Sequence, residues 1–195
     1  VSSASHVTHY RCLFDGAQQL VNEMAQLLAQ TQGAFLTSIK GIGIVLASGV
    51  AAEIGDPLVQ RSTDQVASYA GIVPKVKQSG GSQGPSITSH VSKRSNHILK
   101  DFVVQSAFHI GRYGPKDLKD DYSRREAAGQ HADFGIARRF IRMAMCMMRT
   151  SQVYLPPDMR STHINPERRA EYYQAMWSYL RDKWRKAGGL TVAFA

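Results

Sequence analysis

The chain has 195 residues, enough to bury a real core in one domain with appendages, and its hydrophobic (43%) and charged (20%) fractions suit a globular protein. Its charge is less ordinary: a formal +9 points to an anionic partner, either nucleic acid or an acidic membrane surface. The longest uncharged apolar stretch, residues 41–52, is far shorter than the roughly 18 residues a membrane span needs, and residues 1–10 lack the apolar segment of a secretory signal. A membrane is therefore not expected, and nucleic acid is the favoured partner.

In chain order, residues 12–35 read as a helix. Leu13, Ala17, Leu20, Met24, Leu27 and Thr31 follow alternating steps of four and three, a short coiled-coil-like seam suited to a partner helix. A second helix is predicted over 44–54, stopped by Gly55 and Asp56-Pro57. Ser62 and Gln65 stand at capping-box spacing and open a short helix through Tyr69. Residues 72–91 are rich in Gly, Pro and Ser, contain no acidic residue, and read as a loop with short strand pieces. Ser92 is the expected N-cap of a helix through Ile110 that Gly111 ends. A polar helix over 116–128 follows. Asp133 is then expected to cap a helix to Arg149 whose buried stripe is Ala137, Phe140, Ile141, Ala144, Met145 and Met148. Asn165-Pro166 opens a last helix with Tyr173, Trp177, Leu180 and Trp184 on one side. The expected fold is mainly α. A coiled-coil-like helix (1–36) leads into a domain with a helix-hairpin-helix and a serine loop (37–158), and a C-terminal helical extension follows (159–195).

Three constellations could carry function. Ile39-Lys40-Gly41-Ile42-Gly43-Ile44 runs straight into an apolar helix. Two glycines one residue apart permit a tight turn that leaves helix N-terminal amides facing outward, where a phosphate can sit. The alternative is a plain helix–helix turn with glycines only for geometry. The second is the loop: Lys75, Lys77, Lys93, Arg94 and Lys100 surround Ser79 and Gly80 with no acidic residue before Asp101, a setting in which a phosphate finds cations and open amides. Composition alone does not select Ser79 from its neighbouring serines. The third is a basic stripe, Arg138, Arg142 and Arg149, which reads either as a nucleic-acid track or as a solvated face.

Other reactive side chains read more plainly. Cys12 and Cys146 are too few and too isolated for a disulfide framework or zinc site, and are expected to be small buried side chains in a reducing, cytoplasmic compartment. His90, His97, His109 and His131 lack metal-ligand spacing. Asp117, Asp120 and Asp121 lie among lysines and arginines and read as a solvated face rather than a metal site. The valine start suggests a fragment with domains upstream.

Four segments carry a resemblance: the hairpin LTSIKGIGIVLASGVAAEIGDP, the block ASYAGIVPKVKQSGG, the stretch VSKRSNHILK, and the arginine-rich ARRFIRMAMCMMRTSQVYLPPD. In this order and spacing, from about Leu36 to Asp158, they resemble the C-terminal domain of insertion-sequence transposases of the family numbered 110, with its 1111, 116 and 902 relatives. The resemblance implies an enzyme whose upstream RuvC-like domain binds magnesium through acidic residues, followed by a coiled-coil segment and then this domain, which donates a catalytic serine. That serine falls on Ser79. Lys93 and Arg94 match the family's S-K-R block, although Ser95 stands where a glycine usually follows. The resemblance further implies DNA as substrate, a structured bridge RNA as guide, and a homo-oligomer. A non-catalytic DNA- or RNA-binding helical module is the alternative.

Overall fold

The computed structural model describes residues 3–59, 62–73, 75–78, 86–89, 95–160 and 164–188. It is mainly helical: α1 (Ser3–Ala29), a 3-10 helix (Gln32–Ser38), α2 (Ile44–Ile54), α3 (Thr63–Tyr69), β1 (Lys75–Gln78), β2 (Ser86–Ser89), α4 (His97–Tyr113), α5 (Lys116–Ala127), α6 (Ala132–Thr150), a second 3-10 turn (Pro157–Met159) and α7 (Pro166–Gly188). β1 and β2 form an antiparallel ladder in which Lys75 pairs with Ser89 and Lys77 with Ile87.

The core lies where α2, α4 and α6 meet. All six residues of the α6 stripe, from Ala137 to Met148, are buried against Leu99, Val103 and Ile110 of α4 and Ala47 and Val50 of α2. Each large aliphatic or aromatic side chain so buried contributes about 1.5–3 kcal/mol, which makes this layer the platform for everything around it. α7 closes one side. Leu180 and Trp184 enter the same core, with Tyr173 and Trp177 half-buried beside them.

Local signals fixed several element ends. Both hydrogen bonds of the Ser62/Gln65 capping box form (2.8 and 3.1 Å). Gly55 ends α2 at φ +72°, and Asn165 accepts from the Glu167 amide to open α7.

Elsewhere tertiary contacts moved the boundaries. The first helix starts earlier than the apolar seam suggested and stops at Ala29, giving way to 3-10 geometry. The Thr31 hydroxyl accepts from the Gly33 amide, while Thr37 and Ser38 donate back to the carbonyls of Ala34 (2.7 Å) and Phe35 (2.6 Å). These local bonds compete with an α-helical ladder. Most of the seam points outward: Leu13, Leu20 and Leu27 are exposed, while half-buried Met24 packs on the core beside Ala25 and Leu28. α4 is capped by Asn96, not Ser92, and runs through Gly111 to Tyr113. Gly111 serves packing there, since a Cβ at this position would lie 2.7 Å from the Tyr122 ring of α5. His131 is the N-cap of α6, and Asp133, one residue inside, accepts from the Tyr122 hydroxyl at 2.8 Å.

The acidic segment is solvated at Asp120, which is exposed, but not at Asp121. Asp121 is buried and ion-paired with Arg124, Arg125 and Arg139, while Asp117 takes a second Arg139 nitrogen at 3.0 Å and the Tyr154 hydroxyl at 2.8 Å. Burial pushes the Asp121 carboxyl up, but hydrogen bonds from Arg124 and Arg139 outweigh it and hold the group below its usual range. The arginines among the residues that suggested solvation in the sequence are the partners that allow burial. Both cysteines are free and exposed, Cys12 on α1 and Cys146 on α6, in place of the expected burial. Both sit on helix faces turned from the core.

Candidate functional site

The glycine turn is held between three elements. Gly41 adopts φ +93°, a left-handed conformation that costs any other residue about 1–2 kcal/mol. A Cβ there would stand 2.8 Å from the backbone oxygen of His109, so the turn lies directly on α4. Gly43 is the N-cap of α2 at φ −88°, ψ 177°, an ordinary extended conformation. No side chain caps α2, and its first helical bond runs from the Ala47 amide to the Gly43 carbonyl at 3.0 Å. The amides of Ile44, Val45 and Leu46 are thus the helix's orphan donors, at the positive end of its dipole. A Cβ built on Gly43 meets nothing within 4 Å, so a side chain at the N-cap position would have open space. Exposed Lys40 precedes the turn directly in the chain. The element before the turn is the 3-10 helix, so the local arrangement is 3-10 helix, turn, α-helix.

Lys183, which sequence reading left among non-specific basic residues of the last helix, proves part of this structure. Its ammonium donates to the carbonyls of Thr37 (2.7 Å) and Ile42 and to the Tyr179 hydroxyl (3.3 Å). The adjacent Trp184 donates its indole N–H to the Thr37 hydroxyl at 3.1 Å. Burial lowers the Lys183 pKa to about 8. The available signal was its place between Leu180 and Trp184, four residues from Tyr179 on the packed face.

Ser79, Gly80, Lys93 and Arg94 lie outside the described residues, as does His90. Lys75 and Lys77 fall on β1. The described residues on either side of this segment are pinned. Before it, the Ile72 amide donates to Ala67 (3.1 Å) and the Ile72 carbonyl accepts from Arg138 (3.3 Å). After it, the Asn96 amide donates to the Tyr69 carbonyl (2.9 Å). The Asn96 side chain caps α4 through the Leu99 amide and donates to the Glu53 carboxylate (2.6 Å) and the Tyr69 hydroxyl (2.8 Å). Hydrogen bonds to the helical frame therefore hold the described residues on both sides of the serine-bearing segment.

The arginine stripe divides its work. Arg138 holds Ile72, and its buried Nε has no hydrogen-bond partner among the described residues. Arg149 donates to the Pro57 carbonyl at 2.9 Å, and Arg142, mostly exposed, approaches Asp64 at 3.8 Å. Arg138 and Arg149 thus fasten the segment between α2 and α4 to α6, while Arg142 and Arg149 are both exposed to solvent.

A cleft of about 690 Å³ opens beside the turn, with Lys40 and Lys116 among its lining residues and Tyr154, Tyr172 and Tyr179 in its wall. The tyrosine hydroxyls are internally engaged: Tyr154 donates to Asp117, Tyr172 donates to the Tyr154 carbonyl at 2.6 Å, and Tyr179 accepts from Lys183. Burial, reinforced by the nearby Asp158 charge, pushes the Tyr172 hydroxyl up to about 12. Among the described residues no group of three His, Cys, Asp or Glu could hold a metal ion, and no helix is long and apolar enough to cross a membrane.

Comparison with known proteins finds this basic helical frame similar to transposases of mobile elements. Residues 33–123, which include the glycine turn and both flanks of the serine-bearing segment, match the family described as Transposase IS116/IS110/IS902 family. A probable family 20 transposase of Pseudomonas aeruginosa is 32% identical over 105 residues, covering 50% of this chain and 30% of that protein. An uncharacterized 43.6 kDa protein of insertion element IS110 from Streptomyces coelicolor is 30% identical over 133 residues, covering 67% of this chain and 32% of that protein. Together these matches support the IS116/IS110/IS902 transposase family for this chain, which spans about a third of the length of the curated relatives it matches.

Proposed function

We propose that this chain is the C-terminal, DNA-engaging part of a transposase that mobilises an insertion sequence through a covalent phosphoserine–DNA intermediate, with Ser79 as nucleophile. The observation that carries the DNA-engaging part is the Gly41–Gly43 turn, whose second glycine is the N-cap of α2 with open space at its Cβ position, directly after exposed Lys40 and inside the family-matched segment of a chain of charge +9. Backbone amides and a helix dipole grip a phosphate without reading bases, which suits an enzyme that receives its sequence information from a guide RNA. In the reaction the Ser79 oxygen attacks a DNA phosphorus, forming the Ser–O–P bond as the bond to one strand oxygen breaks. The serine proton passes to a base, and the departing strand leaves with a free hydroxyl that can reverse the step on another end. Lys75, Lys77, Lys93 and Arg94 are assigned to stabilising the charge that develops on phosphorus, and Gly80 to allowing close approach.

Magnesium belongs to an upstream domain in this reading. Asp117 and Asp121, the best-placed carboxylates here, are committed to Arg139 and do not form an open ligand set. A structured guide RNA, a cytoplasmic site of action and a homo-oligomer complete the proposal. The outward-facing Leu13, Leu20 and Leu27 of α1 favour self-association along that helix. Replacing Leu13 and Leu20 by Glu should lower the sedimenting mass, and an unchanged mass would argue against pairing through this face.

The test of the chemistry is a denaturing gel of the intact transposase after incubation with a nicked suicide DNA duplex. A denaturant-resistant adduct that vanishes in Ser79→Ala is the expected result. An adduct indifferent to that change excludes Ser79. No adduct from either protein leaves this domain a binding module.

A further inference from the structure

α7 carries two apolar stripes. Tyr173, Trp177, Leu180 and Trp184 pack on the core, while Tyr172, Met176 and Tyr179, spaced by four and three, form a second stripe that lines the cleft of about 690 Å³. The polar groups of the cleft wall are already engaged within the protein. The Tyr154 hydroxyl is on Asp117, the Tyr172 hydroxyl on the Tyr154 carbonyl, and the Tyr179 hydroxyl accepts from Lys183. Asp158, at the edge, pairs with Arg168 at 3.5 Å. The exposed Lys40, Lys116 and Asp120 are the uncommitted charges: among the described residues their side chains make no ion pair or hydrogen bond. An occupant that suits this lining has an apolar, planar body, an anion for two ammonium groups and an N–H donor for one carboxylate. A nucleotide has all three, and the cleft falls within the roughly 300–1,000 Å³ of sites that enclose a ligand of that size. A peptide bearing lysine or arginine would instead bring its cations against Lys40 and Lys116. Within a duplex a base is stacked and its edge is paired, so the base that enters must be unpaired.

We propose that this cleft holds an unpaired nucleotide of DNA, with the base against Tyr172, Met176 and Tyr179, the phosphate on Lys40 and Lys116, and an amino group of the base edge on Asp120. The inference rests on the reading of the chain as DNA-engaging. DNA is chosen over RNA because Lys40 also leads directly into the glycine turn assigned to a DNA phosphate. Cytosine and adenine, whose edges carry an amino group, are favoured over thymine, which presents carbonyls. The α7 wall lies outside the family-matched residues 33–123, so the cleft joins a family-matched rim to a wall from the rest of the chain.

The experiment titrates the whole 195-residue chain against three fluorescent DNA duplexes that differ at one position: fully paired, with one unpaired cytosine, or with one unpaired thymine. The unpaired base has already lost its partner, so the protein need not supply the full cost of extrusion. Wild type should bind the cytosine bulge at least about fivefold tighter than the paired duplex, the low end of what stacking one base on an aromatic ring supplies. Ala175→Trp, at an exposed lining position, should fill the cleft and abolish that preference while paired-duplex affinity and far-UV circular dichroism stay unchanged. Lys116→Glu, also exposed, should abolish it by charge and carries the test if the tryptophan variant does not fold. Asp120→Asn should erase the preference for cytosine over thymine, and its persistence removes Asp120 from the site. Equal wild-type affinity for paired and bulged duplexes overturns the proposal, as does a bulge preference that survives either cleft substitution in folded protein. Tighter binding of the same cytosine bulge built in RNA overturns the choice of DNA. A chain that binds none of the duplexes removes the DNA-engaging reading along with the cleft. Duplex binding that Gly43→Asp weakens, but that is indifferent to the unpaired base, removes the cleft alone.

Discussion

Gly43→Asp sets folding and binding against each other at one atom-scale position. The residue is the N-cap of α2 with φ −88°, which aspartate adopts freely, and a Cβ there meets nothing within 4 Å. Aspartate is a better N-cap than glycine by a few tenths of a kcal/mol, and its charge gains about 0.3–1 kcal/mol from the helix dipole. The variant should therefore be more stable by roughly 0.5–1 kcal/mol, a rise in Tm of about 1–4 °C for a chain of this size. The same carboxylate would occupy the amides that are assigned to a DNA phosphate. Two like charges about 4 Å apart repel by about 1 kcal/mol in water and about 4 kcal/mol near a protein surface, so after screening a 10- to 100-fold loss of affinity is expected. The salt slope should fall by about 0.9 as one phosphate contact is lost. Calorimetry and fluorescence anisotropy on the same preparation measure both. A stabilised protein that binds duplex DNA as well as wild type would refute the assignment of the turn to phosphate, because the carboxylate would be in place with nothing to displace.

Gly41→Ala should destabilise the fold by about 2 kcal/mol or more, since a left-handed residue gains a Cβ 2.8 Å from the His109 carbonyl oxygen; thermal melting checks this, and an unchanged Tm contradicts the strain. Asn96→Ala removes the cap of α4 and the bonds to Glu53 and Tyr69, so denaturant titration should show a loss of about 2–3 kcal/mol. With alkali, Lys183 should favour folding. Its folded pKa is about 8 against an ordinary 10.5, so between these values the unfolded chain retains a proton that the folded chain has released, and stability from this group rises with pH. Tyr122 and Tyr172, raised to about 12, act with the opposite sign, but only above pH 10. The Tm difference between wild type and Lys183→Met should accordingly shift in favour of wild type from pH 8 to 10, and a constant difference would contradict the burial of that charge.

What the sequence by itself determined were the features whose physics is local. The Ser62/Gln65 box, the Gly55 stop, the Asn165-Pro166 start and the six-residue stripe of α6 each depend on residues within a turn or two of one another, and each formed as read. The family signature was equally legible, because it resides in short blocks at fixed spacing. Tertiary structure decided the rest. Gly111 has the composition of a helix stop and became a packing surface because Tyr122 arrives from α5. Asp117 and Asp121 of α5 looked solvated until Arg139, from α6, paired with both, and Asp121 is buried there. Most of the apolar seam of α1 faced outward because only one side of a helix can meet the core, and Ala25 and Leu28 took that place beside Met24. Lys183 lies 141 residues from the Ile42 carbonyl it binds. Sequence periodicity reports which face of an element is apolar, but which distant donor reaches a given acceptor is set only when the elements pack.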